Sequence, residues 1–170
     1  MEDALQPIAD GVDHQLDPRF IPLQRVRNAI AAVMLAAASF VGMLMAWVAS
    51  GTWAAGLLLV PLWLLLNGLA AWQLRRWPDI DYRHSSYRVD ELGLEIRRGV
   101  YWRAITNVPR SRVQHTDVSQ GPLERRFGLG TLVIHTAGTA NSKVTLEGLE
   151  HGTARRLQAH LLPSAEGDAV

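Results

Sequence analysis

Apolar positions fall into two regimes along the chain. Residues 28–74 carry no charged side chain and are rich in Ala, Leu, Val and Trp. From about residue 80 onward, apolar positions alternate with polar ones or come in short runs between turn signals. A charged group at a bilayer centre costs about 2.5–3.5 kcal/mol on insertion scales, so long charge-free apolar runs are what a membrane demands. One helix needs about 20 residues to cross the hydrocarbon core, and this run is long enough for two. Its clearest polar break is Ala49-Ser50-Gly51-Thr52, where Gly and Ser favour a turn. The pattern predicts helices over residues 28–48 and 53–74, joined as a hairpin. Ala38, Gly42 and Ala46 form a small-residue stripe on the first helix, readable as a dimerisation face or as packing against the second helix. Pro61 is tolerated in a lipid helix, and Asn67 can hydrogen-bond across the pair.

The second regime predicts strands over residues 82–89, 94–98, 101–108, 113–118, 131–136 and 143–146. Asp90-Glu91-Leu92-Gly93 and Gly99 mark turns between the first of them, and Trp102, Ile105 and Val108 are the apolar positions of the third. Short strands with regular turn signals argue for an all-β sandwich or barrel. Ala154, Leu157, Leu161 and Leu162 then share one helical face, opposite Arg155, Arg156 and Gln158, and Pro163 ends the helix. The fold class is therefore an α+β membrane protein: a two-helix transmembrane hairpin, then a small β-barrel or sandwich capped by a C-terminal α-helix. The expected division is a flexible leader over 1–24, the hairpin over 25–77, the β-domain over 78–163 and a flexible tail over 164–170. The leader is acidic and carries Pro and Asp, hence the expected disorder; its Leu16, Phe20, Ile21 and Leu23 offer contact with the membrane interface.

Charge adds an orientation. Arg19, Arg25 and Arg27 precede the hairpin, Arg75, Arg76 and Arg83 follow it, and the turn has none. The positive-inside rule then puts both termini in the cytoplasm and the turn outside. Trp47 and Trp53 flank the turn, while Trp72 and Trp77 mark the other end, as an aromatic belt requires. The run exceeds a signal-peptide core and is followed at once by a second span, which argues against cleavage. No Asp, Glu, Lys, Arg or His lies within the spans, so a proton or ion pathway is not expected. The chain has no cysteine, which excludes disulfides, thiol catalysis and the usual structural zinc sites.

A longer motif carries a family resemblance. Val108-Pro109-Arg110-Ser111-Arg112-Val113-Gln114-His115 leads into Gln120-Gly121-Pro122-Leu123-Glu124-Arg125-Arg126-Phe127-Gly128-Leu129-Gly130, and Val133-Ile134-His135-Thr136-Ala137-Gly138 follows. In this order they resemble the membrane-anchored bacterial pleckstrin-homology-like family, in particular its YdbS-like members, over residues 25–163. The resemblance implies a pair of transmembrane helices ahead of one cytoplasmic domain in the bacterial inner membrane. It also implies a partner, a larger membrane protein with several related domains, and leaves homo-oligomers open. The residues explain much of the motif on their own. Pro122 suits the first position of a helix, and Leu123 and Phe127 share one face of it. Arg125 and Arg126 fall near its C-terminal end, and Gly128 suits the residue that leaves it. Pro109, Arg112, Gln114, Gln120, Gly121, Pro122, Leu123, Phe127 and Gly128 are thus read as scaffold.

Other chemistry finds little support. His84, His115, His135, His151 and His160 lack metalloprotease spacing, Gly128-Leu129-Gly130 lacks the strand-to-helix setting of a phosphate loop, and Ser85, Ser86 and Ser111 lack a nucleophile elbow. No metal, cofactor or catalytic residue is expected, and the arginines on strands are matched by acids rather than arrayed as a nucleic-acid track. The turn at Asp90-Glu91 is acidic, unlike the basic first strand turn of phosphoinositide-binding relatives. Arg75, Arg76 and Arg83 remain candidates for contact with an anionic lipid surface, where each arginine is worth about 1 kcal/mol. Two readings follow: a non-enzymatic interaction or assembly module at the membrane, and a sensor of the lipid surface.

Overall fold

The structure, a computed structural model, describes residues 9–137 and 143–162. Gly138, Pro163 and the tail over 164–170 lie outside the described residues, as does the leader before residue 9. The elements in order are β1 (Asp13–Gln15), α1 (Phe20–Ser50), α2 (Ala54–Arg83), β2 (Ser86–Val89), β3 (Gly93–Arg98), β4 (Ala104–Pro109), a 3₁₀ turn (Arg110–Arg112), β5 (Val113–Ser119), α3 (Pro122–Phe127), β6 (Leu129–Thr136), β7 (Lys143–Glu150) and α4 (His151–Leu161). They divide into two compact units, residues 21–79 and a second unit formed by residues 1–20 with 80–170.

The first unit is a pair of helices whose apolar windows reach mean hydropathies of 2.2 and 1.9, long and apolar enough to cross a membrane. Both helices run past the predicted ends. Residues 78–83, expected to belong to the β-domain with a strand starting at 82, are helical instead, and Pro78 is accommodated inside α2. Polar contacts tie the pair together at several levels. Arg25 Nη2 donates to both carboxylate oxygens of Asp79 at 2.7 and 2.8 Å, and Asn28 Nδ2 donates to the Leu74 carbonyl at 2.9 Å. Midway, Trp63 Nε1 donates to Ser39 Oγ at 3.0 Å, and Asn67 Oδ1 accepts from the same hydroxyl at 3.4 Å. The facing residues on α1 include Ala32, Ala36, Ser39 and Met43, all half-buried. The Ala38, Gly42, Ala46 stripe does not face α2: all three are exposed, and a Cβ at Gly42 would meet nothing within 4 Å. Packing against the second helix is therefore not its role in this chain.

The second unit holds two antiparallel sheets, ordered β1-β2-β3-β4 and β5-β6-β7. Alternation builds the core, as period-two side chains must. Val89, Leu94, Ile96 and Val108 come from the first sheet, and Leu132, Ile134, Leu146 and Leu149 from the second. Ala154, Leu157 and Leu161 of α4 are fully buried against them, and Gln158 Nε2 donates to the Thr116 carbonyl at 2.7 Å. This is the expected capped sandwich.

The leader is a correction. Its residues 13–15 pair with β2, Asp13 opposite Arg88 and Gln15 opposite Ser86. Leu16 and Phe20 are core residues. The Asp17 N–H donates to the Gly148 carbonyl at 2.9 Å, and the Tyr82 hydroxyl donates to the Leu16 carbonyl at 3.0 Å. The leader is thus ordered from β1 onward because the sheet and core complete it. Gly148 is what admits Phe20. It lies at φ +77° in a β7 bulge, with Leu149 opposite Gly130 but Leu146 opposite Leu132. A Cβ there would sit 2.7 Å from the Phe20 ring. The helical hairpin is consequently an insertion between the first two strands of one sheet.

Candidate functional site

Antiparallel order puts successive turns at opposite ends of a sheet. Gln15, Ser86, Arg97 and Ile105 form one row across the first sheet. The β3–β4 turn therefore lies at the end where the chain leaves for α1 and returns from α2. The acidic Asp90-Glu91 turn lies at the other end. It is not the first inter-strand connection, as the sequence suggested; that place belongs to the hairpin.

Basic and aromatic groups gather at the β3–β4 end. An open crevice of about 400 Å³ is lined by Arg83, His84, Arg97, Arg98 and Arg103, with Ile105 at its edge. Arg97 is neutralised locally: Nη1 donates to Asp13 Oδ2 at 2.9 Å, and Nε donates to Glu95 Oε1. Arg98 is half-buried on the inward face. Burial lowers its pKa, opposed by the charges of Glu147 and Asp81, and an arginine so placed stays protonated. Arg83 and Arg103 are exposed and have no ion-pair partner among the described residues. His84 Nδ1 meets the Ile80 carbonyl at 2.7 Å, so that nitrogen carries the proton and Nε2 is left for other contacts.

Beyond the crevice projects the turn of residues 99–103. Trp102 is 91% exposed, Tyr101 79% and Ile105 62%. Sequence alternation had placed Trp102 in a strand; the structure puts it in the turn, and of Trp102, Ile105 and Val108 only Val108 is buried. Gly99 makes the turn possible at φ +116°, since a Cβ there would lie 1.9 Å from the Trp102 carbonyl oxygen.

The residues singled out from sequence separate into distinct places. Arg75 and Arg76 belong to the helical unit, where the Arg76 guanidinium lies 4.9 Å from the Trp72 ring centre. Arg83 belongs to the crevice. The motif residues lie around β4, β5 and α3. Pro109 ends β4 before the 3₁₀ turn. The Arg112 carbonyl accepts from the Ala137 N–H at 2.9 Å. Gln114 occupies a β5 bulge, since Val113 faces Thr136 while His115 faces His135. Gln120 Nε2 donates to the Leu129 carbonyl at 2.6 Å. Gly121 caps α3 and donates its N–H to Glu124 Oε2 at 2.7 Å, while Glu124 Oε1 accepts from Thr131 Oγ1 at 2.7 Å. Pro122 starts the helix, Leu123 and Phe127 are half-buried on it, and Gly128 leaves it at φ +71°. Sequence reading found only that the histidines lack metalloprotease spacing, which says nothing against cross-strand neighbours. Strand register brings His115 and His135 together, with Asp117 at 2.9 and 3.6 Å from their Nε2 atoms. Among the described residues no three such groups are arranged to hold a metal ion.

The two sheets, capping helix and apolar hairpin define a membrane-anchored pleckstrin-like protein, and comparison agrees. Residues 18–165 match the bacterial PH domain family, and the chain belongs to it. It is similar to the UPF0699 transmembrane protein YdbS of Bacillus subtilis (strain 168), with 39% identity over 70 residues. The aligned stretch covers 41% of this chain and 44% of that protein, so less than half of the relative is matched. No solved structure matches the chain at a significant level. The chain is thus a YdbS-like membrane protein with a bacterial PH domain.

Proposed function

We propose that the protein is a non-enzymatic interaction module whose PH domain is held at the cytoplasmic face of the bacterial membrane. The observation that carries this is the insertion of the hairpin between β1 and β2. An anchor attached at one end of a domain can be released by a single cut; an anchor inserted between two paired strands cannot be released that way while β1 stays joined to the rest of its sheet. Two hydrogen-bonded strands also have to share one side of a bilayer, because an open sheet edge does not occur in hydrocarbon. Both ends of the hairpin then open on the same side, and its flanking arginines make that side the cytoplasm. Reporter fusions at Gly51 and after Val170 test this: the first should read outside and the second inside. Opposite readings overturn the orientation, and equal readings overturn the two-span topology.

Assembly is the leading reading of the module's work. A larger membrane protein carrying several related domains is the proposed partner, and a second copy of the chain is the alternative. Edge strand β4 supports a docking role, since it is the outer strand of its sheet and shows Ile105 to solvent. Affinity purification from membranes tests it; a chain that comes out alone and monomeric would overturn it. A second reading, contact with anionic lipid, is supported by the exposed Arg83 and Arg103, which have no ion-pair partner among the described residues, beside an exposed tryptophan. In both readings the motif from Pro109 to Gly128 is scaffold, and Arg75 and Arg76 are interface anchors.

A further inference from the structure

We infer that the β3–β4 turn is a membrane-contacting finger: Tyr101 and Trp102 enter the headgroup layer while Arg83 and Arg103 bind the phosphates of anionic lipids. This rests on the second reading above and gives it residues and an occupant.

Three independent observations converge. Charge is sorted along the sheet, with Asp90 and Glu91 at one end and the arginine crevice at the other. The basic end is also the end from which the chain runs into both helices, so covalent connection keeps it within a few residues of the hairpin. Arg83 closes α2, and Gln15 stands five residues before Phe20, where α1 begins. Finally, the turn leaves Trp102 91% and Tyr101 79% exposed, an arrangement that the interface rewards, because indole and phenol prefer headgroup depth. Arginine adds planar donors that match phosphate oxygens.

The aromatic pair also decides between sources of phosphate. A soluble phosphate compound would use the crevice but leave Trp102 and Tyr101 in water. A lipid leaflet uses both at once. The acids that act on the crevice's arginines, Glu95 and Asp13 on Arg97 and Asp81 and Glu147 about Arg98, leave the charge surplus on Arg83 and Arg103.

Because the chain has no cysteine, a single label reports the finger directly. The full chain carrying Tyr101→Cys with a nitroxide is placed in nanodiscs of neutral phosphatidylcholine, or of phosphatidylcholine with phosphatidylglycerol. Relative accessibility to oxygen and to a water-soluble nickel chelate reads depth. The expected result is a label at headgroup depth in anionic discs, returned to water by Arg83→Gln with Arg103→Gln. Those two exposed arginines together shift the immersion equilibrium by about 30-fold. A label at Glu91→Cys stays aqueous in both discs, and an unchanged thermal transition of each labelled protein shows that the domain is intact. Three results overturn the inference: an aqueous label at residue 101 in anionic discs, immersion indifferent to lipid charge and to the two arginines, or glycerol phosphate binding in neutral discs that matches the anionic-disc effect. Both disc faces are alike, so an error in the cytoplasmic orientation would not produce any of these; failure of protein assembly would not either.

Discussion

Gly148 shows how one position can decide whether a terminal segment belongs to a domain. Its missing side chain is the space that the Phe20 ring occupies, and its φ of +77° is one that other residues adopt only at a cost. Gly148→Ala is therefore expected to destabilise the PH unit by about 1–3 kcal/mol, read as a lowered thermal midpoint of the purified protein in detergent. An unchanged midpoint would mean that Phe20 is not held there. Glu124 works by hydrogen bonds instead, reaching the α3 cap with one oxygen and Thr131 with the other. Glu124→Ala should cost about 1–2 kcal/mol, and Glu124→Gln less, since an amide keeps one acceptor. Equal losses in the two variants would assign the cost to something other than hydrogen bonding.

At the scale of elements, legibility followed the length and strength of each pattern. The helices were readable because a charge-free run of that length has few other uses. α3 was readable from Pro122 and Gly128, which act through backbone preferences that need no distant partner. Strand β1 was not: Asp-His-Gln has no apolar alternation, and its partner Arg88 lies 75 residues away. The aromatic finger was misassigned for a related reason. A run of apolar residues reads Trp102 and Ile105 as strand positions whether they face a core, solvent or a turn, and only Gly99 hinted at the turn. A chain lacking residues 1–17 should lose the cooperative unfolding of the PH unit, since β2 would become a bare edge and Leu16 would leave the core. Retention of the full transition, by far-ultraviolet circular dichroism, would make the strand dispensable. Conversely, a Gly/Ser linker replacing residues 21–79 should yield a soluble folded unit.

In the whole molecule the hairpin is an insertion in the chain of the PH unit, between β1 and β2. The family match, over residues 18–165, begins ahead of the helices and runs on beyond α4, so that the hairpin lies inside the matched region. Insertion of the hairpin also dictates an order of events during synthesis. Strand β1 leaves the ribosome before the hairpin, yet the residue that Asp13 pairs with follows 75 positions later, about 4–15 s at ordinary elongation rates. For that interval Leu16 and Phe20 have no core to enter. On the proposed two-span topology, a chain in which only one helix crosses the bilayer would leave β1 and β2 on opposite sides, each without its partner. Sheet closure on that topology is a checkpoint on two-span insertion: the PH unit closes only on chains whose two helices both cross, and a chain with a single span would present an unfolded domain to the cell's proteases.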